Sequence, residues 1–300
     1  MYTRFTITRA RTYVSLLKEV IFLTLYSGII FILYEYFEHR HITISFSVSA
    51  IMGTAIAILL GFRTSAAYDR WWEARKVWGS IINDSRTLIR QAIGFISPSV
   101  TKSDSVKKLA KYQISWCYAL TSSLRKLPLA QEVRNNLSED DMKYVTNQLN
   151  VPNAILKLME EELATLYKNK QIDSFHFGMM DQSLKSLCDH MGKCERIKNT
   201  IFPVHYRFFI RLSIIIFALL LPLELVEFLG VLIIPVTFSI ILFISVIESI
   251  ADYLQDPFEN RPADISMTTI SRMVEINLMQ MAGIENVPQP LLPDKKGILM

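Results

Sequence analysis

Residues 62–91 read FRTSAAYDRWWEARKVWGSIINDSRTLIRQ. This stretch decides the architecture because it follows directly on an apolar run, Ile44–Phe62, that is long enough to enter a bilayer. No turn signal separates the two parts, and the second is dense in Arg, Trp and carboxylates. The pattern predicts one continuous helix that leaves the membrane and extends its membrane face into a soluble layer. Such an arrangement suits an ion pathway better than a simple membrane anchor.

Four stretches of the chain are candidates for transmembrane helices, each of which needs about 20 mostly apolar residues. They cover approximately residues 17–37, 44–62, 212–228 and 229–250. Only Glu227–Gly230 separates the last two, which predicts a tight membrane hairpin. The mean hydropathy of the whole chain is a modest +0.27 because these apolar blocks alternate with strongly charged ones.

The distribution of Lys and Arg predicts the orientation in the membrane. The amino-terminal segment is basic, and Arg63–Arg211 carries most of the remaining positive charge. The short connections around Glu38–His41 and around Glu227 carry little. We therefore expect a multi-pass protein of the cell membrane with both termini in the cytoplasm, two short outer loops, and a cytoplasmic layer formed by about residues 63–211 and 251–285.

The soluble layer is predicted to be helical, and the chain as a whole all-α. Apolar residues recur at helical spacing in Ser103–Leu124, Asn153–Lys168 and Met179–Lys198, and Ser138 followed by three acidic residues is a helix-start signal. No segment alternates with period two over a useful length. We treat residues 1–300 as a single unit whose tail, from residue 286 to residue 300, is rich in Pro and Lys and is expected to be flexible.

Composition and motifs exclude several functions. A net charge of +4 without a basic, aromatic-rich stripe does not indicate nucleic-acid binding. There is no phosphate-binding glycine loop, no zinc-protease motif and no nucleophile elbow, so we expect neither an enzyme nor a cofactor. The three cysteines fall in the predicted cytoplasmic layer, without metal or redox spacing, and are expected to be buried or idle thiols.

One face of the second apolar block is a candidate pore lining. Thr54, Ile58 and Phe62 lie one turn apart, and small residues around them, including Gly53 and Gly61, allow close helix approach. Several copies around an axis would make a narrow apolar neck that can gate by dewetting. The alternative is that these side chains face lipid or other helices, and periodicity alone favours that alternative.

Two groups of carboxylates lie in or beside the last two apolar blocks. Glu224 stands near the predicted outer end, either at the membrane interface or at a pore entrance. Glu248, Asp252 and Asp256 recur at intervals of one turn. Because buried charge in a membrane is usually paired or lines water, we expect this stripe to pair with the arginines of residues 63–90.

The chain resembles the prokaryotic bestrophins in an ordered set of motifs. These are LGFR at 60–63, YDRWWEAR at 68–75, Trp78-Gly79, NDSR at 83–86, GKCERI at 192–197, Phe202-Pro203 and DPF at 256–258. The resemblance covers most of the chain, although residues 100–175 match only loosely.

The resemblance implies a homopentameric ion channel with one central pore, whose partners are further copies of itself, membrane lipid and small inorganic ions. It places the pore neck at Thr54, Ile58 and Phe62; the first of these positions is usually aliphatic in the family. It also implies a second, cytoplasmic constriction at Phe175, with Ile172 and Phe177 as alternatives.

Two properties of the family bear on ions. Vertebrate members bind calcium through an acidic run after the DPF motif, but here Glu259–Asp264 lacks most of the carboxylates and contains Arg261, so no metal site is expected. The family label implies chloride or other anions as the permeant species. A monovalent-cation channel is the alternative, and a non-conducting membrane scaffold that binds a cytoplasmic partner is the rival of another class.

Overall fold

The computed structural model describes residues 10–36, 46–98, 102–200 and 203–293. Within these ranges all regular structure is helical, as predicted. The helices are α1 Ala10–Tyr36, α2 Phe46–Phe95, α3 Lys102–Arg125, α4 Gln131–Asn136, α5 Glu139–Thr146, α6 Val151–Lys168, α7 Ser174–Asn199, α8 Val204–Leu229, α9 Ile233–Leu254 and α10 Met267–Met281, with a 3₁₀ turn at Gly230–Leu232. The predicted continuous helix is confirmed, because α2 runs for 50 residues without a break.

The described helices form two compact units. The apolar unit consists of α1, α2 as far as Arg70, α8 and α9. The core unit consists of α2 from Trp71 onward, α3 to α7, and the chain from Asp256 onward, including α10. The predicted arrangement of the chain as a single unit with a membrane layer and a cytoplasmic layer stays a prediction.

Three stretches of the described chain are long and apolar enough to cross a membrane: Lys18–Tyr36, Ser47–Phe95 and Val204–Leu254. The third contains both α8 and α9, which pack against each other. At 1.5 Å per residue these two helices are about 39 Å and 33 Å long, and either length spans the hydrocarbon core of a bilayer.

The connection between α8 and α9 differs slightly from the prediction. The segment Glu227–Leu229 still belongs to α8, and the turn begins only at Gly230. Gly230 has a φ of +51°, a conformation in which a side chain is strained, and this ends the helix. The apolar residues before it give no sequence signal for an earlier end.

The apolar unit is held together largely by aliphatic and aromatic side chains. Helix α1 packs closely against α8 and α9. Helix α2 is attached to α8 by a separate cluster of side chains. This cluster contains Ile56, Leu60, Ile210, Ile214, Phe217 and Leu221.

The core unit has one large hydrophobic core, in which Trp78 and Trp116 are fully buried. The predictions of helices at α3 and α6 are confirmed to within three residues at either end. Ser138 caps α5 as predicted, because its hydroxyl accepts a hydrogen bond from the backbone N–H of Asp141.

Helix α7 begins at Ser174, five residues before the predicted Met179. The carboxyl of Asp173 accepts a hydrogen bond from the backbone N–H of His176 and caps the helix there. The apolar pattern failed to indicate this first turn because Ser174, Phe175 and His176 are not on its buried face.

The remaining sequence predictions for the core unit concern the tail and the thiols. Residues 286–293 contain no helix, and the rest of the predicted flexible tail lies outside the described residues. Cys117 and Cys194 are buried free thiols, whereas Cys188 is exposed. Burial raises the pKa of each buried thiol to about 12, so both are protonated and unreactive near neutral pH.

Candidate pore-lining face and its attachments

The predicted neck residues lie on the face of α2 that its own chain leaves uncovered. Ile58 is 55% exposed and Phe62 is 69% exposed, and Thr54 is exposed as well. On the opposite face, Ile56 and Leu60 are buried against α8. Both faces of this segment are therefore apolar, and they differ in packing rather than in polarity. The unpacked face is directed toward lipid, a further copy of the chain, or a pore.

Thr54 presents less polarity to that face than its residue type indicates. Its hydroxyl donates a hydrogen bond of 2.8 Å to the carbonyl oxygen of Ala50, one turn earlier in α2. The proton of the hydroxyl is therefore satisfied within the helix, as is usual for Thr in apolar helices. Only its oxygen lone pairs remain available to water at the predicted outer end of the neck.

A shallow apolar groove of about 700 Å³ lies beside this face, between α2 and α9. The side of the groove formed by α2 consists mainly of small residues, among them Gly53, Ala57 and Gly61. The side formed by α9 carries Phe243 and Ile247. Small residues on a membrane helix permit the close approach of another helix.

At the end of the neck segment, α2 is attached to the other helices by buried charges. Arg63 is 1% exposed. Its Nη2 donates a hydrogen bond to Oδ1 of Asp252, and its Nη1 lies 3.5 Å from Oε1 of Glu248. The predicted pairing of this acidic stripe with an arginine of residues 63–90 is confirmed for these two carboxylates.

Arg211 of α8 extends the same network. It donates hydrogen bonds to Oε2 of Glu248 and to Oε2 of Glu19 in α1. We call the five residues Glu19, Arg63, Arg211, Glu248 and Asp252 the charge anchor. Each of the four helices of the apolar unit contributes to it. Three carboxylates face two guanidinium groups, so with every group ionised its net charge is −1.

The other end of the neck segment is attached by Glu224, which is 1% exposed. Its Oε1 accepts a hydrogen bond of 2.9 Å from the backbone N–H of Ser49, the fourth residue of α2. That N–H is one of those at a helix start that have no partner within the helix. Glu224 therefore caps α2. Its predicted role at a pore entrance stays a prediction, and the burial of its side chain argues against that role.

In the core unit, the three candidates for the cytoplasmic constriction occupy different environments. Phe175 is 71% exposed at the start of α7, with its ring 5.8 Å from that of His176. Ile172 is buried in the core, and Phe177 packs against Tyr167. Only Phe175 of the three projects a large apolar side chain away from the core, as a constriction requires.

The turn that resembles the calcium-binding segment is held by its own hydrogen bonds. Oδ2 of Asp264 accepts a hydrogen bond of 2.9 Å from the backbone N–H of Arg261, and Asp264 is buried. Glu259 pairs instead with Lys198. Burial raises the pKa of the Asp264 carboxyl to about 6. Among the residues that the structure describes, no three potential ligands stand close enough together to hold a metal ion.

Comparison with known proteins decides the family. The model of the bacterial and fungal bestrophin proteins matches residues 1–280. The chain belongs to this bestrophin family. The resemblance noted in the sequence motifs is thereby shown, and apolar helices of sufficient length agree with a multi-pass membrane protein.

Relatives within the bestrophin family match along nearly the whole chain. The voltage-dependent anion channel-forming protein YneE of Escherichia coli K12 is 32% identical over 278 residues, which cover 90% of this chain and 88% of that protein. A voltage-dependent anion channel-forming protein of Ralstonia nicotianae is 30% identical over 246 residues, covering 81% of this chain and 79% of its own length.

Solved bestrophin structures agree with the fold. The crystal structure of a bacterial bestrophin homolog from Klebsiella pneumoniae superposes with a TM-score of 0.84 at 30% identity, covering 89% of this chain and 98% of that one. A second structure of that homolog, with one substitution, gives a TM-score of 0.87 at 29% identity and covers 92% and 100% of the two chains.

Sequence reasoning missed two members of the charge anchor and the partner of Glu224. Glu19 and Arg211 are 192 residues apart, and Ser49 and Glu224 are 175 apart. A buried charge in an apolar helix indicates that a partner exists. It does not indicate which partner, because that depends on how the helices pack.

Proposed function

We propose that this bestrophin-family protein is an anion channel of the cell membrane, with a central pore lined by α2 of each subunit. The observation that carries the proposal is the uncovered stripe of Thr54, Ile58 and Phe62, which lies opposite the packed face of the same helix. The anion as permeant species comes from the relatives, which are described as voltage-dependent anion channel-forming proteins.

We propose four membrane helices in each subunit: α1, the first part of α2, α8 and α9. An even number of crossings puts both termini on one side of the membrane. That side is the cytoplasm, because most Lys and Arg lie in the segment Arg63–Arg211.

A single α2 cannot enclose a pore, so the channel requires several copies of the chain. We propose a homopentamer, the assembly that the bestrophin resemblance implies. The groove beside Gly61 supports it, since it offers an apolar surface to which a neighbouring subunit can bind. In the pentamer, Thr54, Ile58 and Phe62 form the neck, and Phe175 forms the cytoplasmic constriction.

The neck itself contributes little to the choice between anions and cations. Apolar rings restrict passage through their width and through the instability of water inside them, whereas the sign of the permeant ion depends on charges at the mouths. We therefore assign selectivity to charged residues outside the neck.

Reconstitution tests the function directly. The purified protein is inserted into planar bilayers under a tenfold KCl gradient, for which ideal selectivity shifts the reversal potential by about 59 mV for a monovalent ion. We expect reversal near the chloride equilibrium potential. Reversal near the potassium potential would instead establish a cation channel. Intact oligomers that carry no current, both in the parent and in a variant whose neck is widened by Ile58→Ala and Phe62→Ala, would support the scaffold, whereas a widened variant that conducts beside a silent parent would indicate a closed channel.

A further inference from the structure

The charge anchor lies immediately beside the end of the predicted neck. Arg63, its only member in α2, directly follows Phe62. Successive residues of an α-helix point about 100° apart around its axis. A side chain that fixes the direction of residue 63 therefore also fixes the direction in which Phe62 points.

Between Ser49, whose backbone N–H is held by Glu224, and Arg63, the attachments of α2 described above are apolar and have no comparable directionality. Ile56 and Leu60 pack against α8 through apolar contacts, and the hydrophobic effect that stabilises them is non-directional. The groove side, at Ala57 and Gly61, has no bulky side chain of α2 to resist turning. A charge-assisted hydrogen bond, in contrast, depends on both distance and angle.

The polar attachments also restrain one side of the helix. Two turns beyond Arg63, Nε of Arg70 donates a hydrogen bond of 2.9 Å to the backbone oxygen of Gln255, just after α9. Residues seven apart lie on nearly the same face of a helix. Arg63 and Arg70 thus join the same face of α2 to the end of α9.

We propose that the charge anchor sets the rotation of α2 about its own axis, and that Arg63 is a positioning residue which directs Phe62 toward the pore. The inference rests on the proposed function for the role of Phe62, but the rotation itself does not. Glu19 and Arg211 take part through Glu248, because Arg211 holds the second oxygen of that carboxyl.

A purely stabilising network would behave differently. If the anchor only held the helices together, removing its buried charges would change the melting temperature and leave the direction of Phe62 as it was. Ion pairs inside proteins can often be replaced by apolar residues of similar volume without loss of the fold. The direction of Phe62 is therefore the quantity that separates the two roles.

The test uses Arg63→Met, alone and together with Arg70→Met, in the full-length oligomer in lipid nanodiscs. Cryo-electron microscopy of the parent and the variants measures the direction of Phe62 about the axis of α2. We expect a rotation of at least about 30°, roughly a third of the step between successive residues. Arg63→Lys, which keeps the charge and one bond, should rotate less.

A matched control and a rescue keep the test decisive. Arg207→Met removes an exposed arginine one turn before Arg211 in α8 and should leave Phe62 in place. Should Arg63→Met fail to assemble, we expect Arg63→Met with Glu248→Met to assemble, because it removes the two most buried charges of the charge anchor together, and Phe62 should still be rotated.

Three results can be distinguished. Rotation together with an altered single-channel current supports both the positioning role and the proposed pore. Rotation without any change of current supports the positioning role and contradicts the assignment of Phe62 to the neck. Assembled variants, including the double methionine form, in which Phe62 keeps the parental direction would overturn the inference.

Discussion

Phe62 and Ile58 are large apolar side chains that their own chain leaves more than half exposed. In the proposed pore they limit conduction in two ways, by narrowing the passage and by making a water column inside it unstable. Thr54 differs, because its methyl group is apolar while its oxygen can still accept a hydrogen bond from water. Ile58 and Phe62, rather than Thr54, should therefore dominate the barrier to ion conduction.

Replacing both Ile58 and Phe62 with Ala should raise single-channel conductance severalfold, since the ring becomes wider and wets more readily. The ratio of anion to cation permeability should change less, because no charge is altered. Planar-bilayer recordings measure both quantities. A matched control is Phe22→Ala with Ile29→Ala in α1, two side chains of nearly the same exposure outside the neck. A double neck variant that remains assembled and conducts like the parent would show that these residues are not the gate.

Asp264 makes stability depend on pH. Its pKa in the folded protein is about 6, above the ordinary value of 3.8. Between these two pH values the folded protein binds a proton that the unfolded chain releases, so the free energy of unfolding falls as pH rises through this window. The shift corresponds to about 3 kcal/mol at most.

Asp264→Asn should remove this dependence, because an amide oxygen can still accept the hydrogen bond from Arg261 and carries no charge. Above pH 6 the variant should be more stable than the parent by about 1–3 kcal/mol, and near pH 4 the two should converge. Melting temperatures of the detergent-solubilised protein from pH 4 to 7.5 measure the difference. Asp181→Asn, at an exposed carboxylate of the same unit, is the control. Parallel curves for parent and Asp264→Asn would contradict the prediction.

At the scale of the element, α2 is a helix with polar attachments on either side of its predicted neck segment. Glu224 holds its start and Arg63 holds the region just after Phe62. Between them the helix makes apolar contacts on one face and leaves the other uncovered. The segment from residue 49 to residue 63 is thus fixed at both ends, which suits a lining whose geometry must be kept.

Glu224→Leu should destabilise the apolar unit by about 1–3 kcal/mol, because it leaves the N–H of Ser49 buried without an acceptor. Glu224→Gln keeps an acceptor oxygen and should lose less, roughly the 0.3–1 kcal/mol typical of a charge at a helix start. Thermal unfolding in detergent measures both. An equal loss of stability in Glu224→Gln and Glu224→Leu would mean that the hydrogen bond to Ser49 does not account for the contribution of Glu224 to stability.

Most of the described helices could be predicted from the sequence because the signals that specify them lie within a few turns of the chain. The break-free continuation through residues 62–91, the cap at Ser138 and the apolar faces of α3 and α6 are all encoded within a few turns. The start of α7 was missed because Asp173 acts through a single hydrogen bond that leaves no apolar pattern. The charge anchor was predicted only for Glu248 and Asp252, because carboxylates one turn apart beside an apolar block indicate a paired cation, expected among the arginines of residues 63–90. Glu19 and Arg211 were missed because their contacts depend on packing between separate helices.

At the scale of the whole molecule, two parts of the uncovered apolar surface on and beside α2 have different requirements. The stripe of Ile58 and Phe62 requires an axis of symmetry if it is to line a pore. The groove beside Gly61 requires a helix of suitable shape to fill it. A neighbouring copy of the same chain satisfies both requirements at once, because a cyclic arrangement repeats the same contact around the axis.

We expect native mass spectrometry in mild detergent to show five copies of the 34.6 kDa chain. Gly61→Leu should shift the population toward smaller species, since a Cβ added there meets no atom of its own chain within 4 Å and the rest of the side chain occupies the groove. Gly94→Leu makes the same change at an exposed glycine farther along α2 and should keep five subunits. Both changes improve helix propensity, so a difference in assembly between the two variants does not come from the stability of α2 as a helix. A parent that is chiefly monomer or dimer would contradict the pentamer, and a Gly61→Leu variant that still assembles into five would show that no neighbouring subunit packs into the groove.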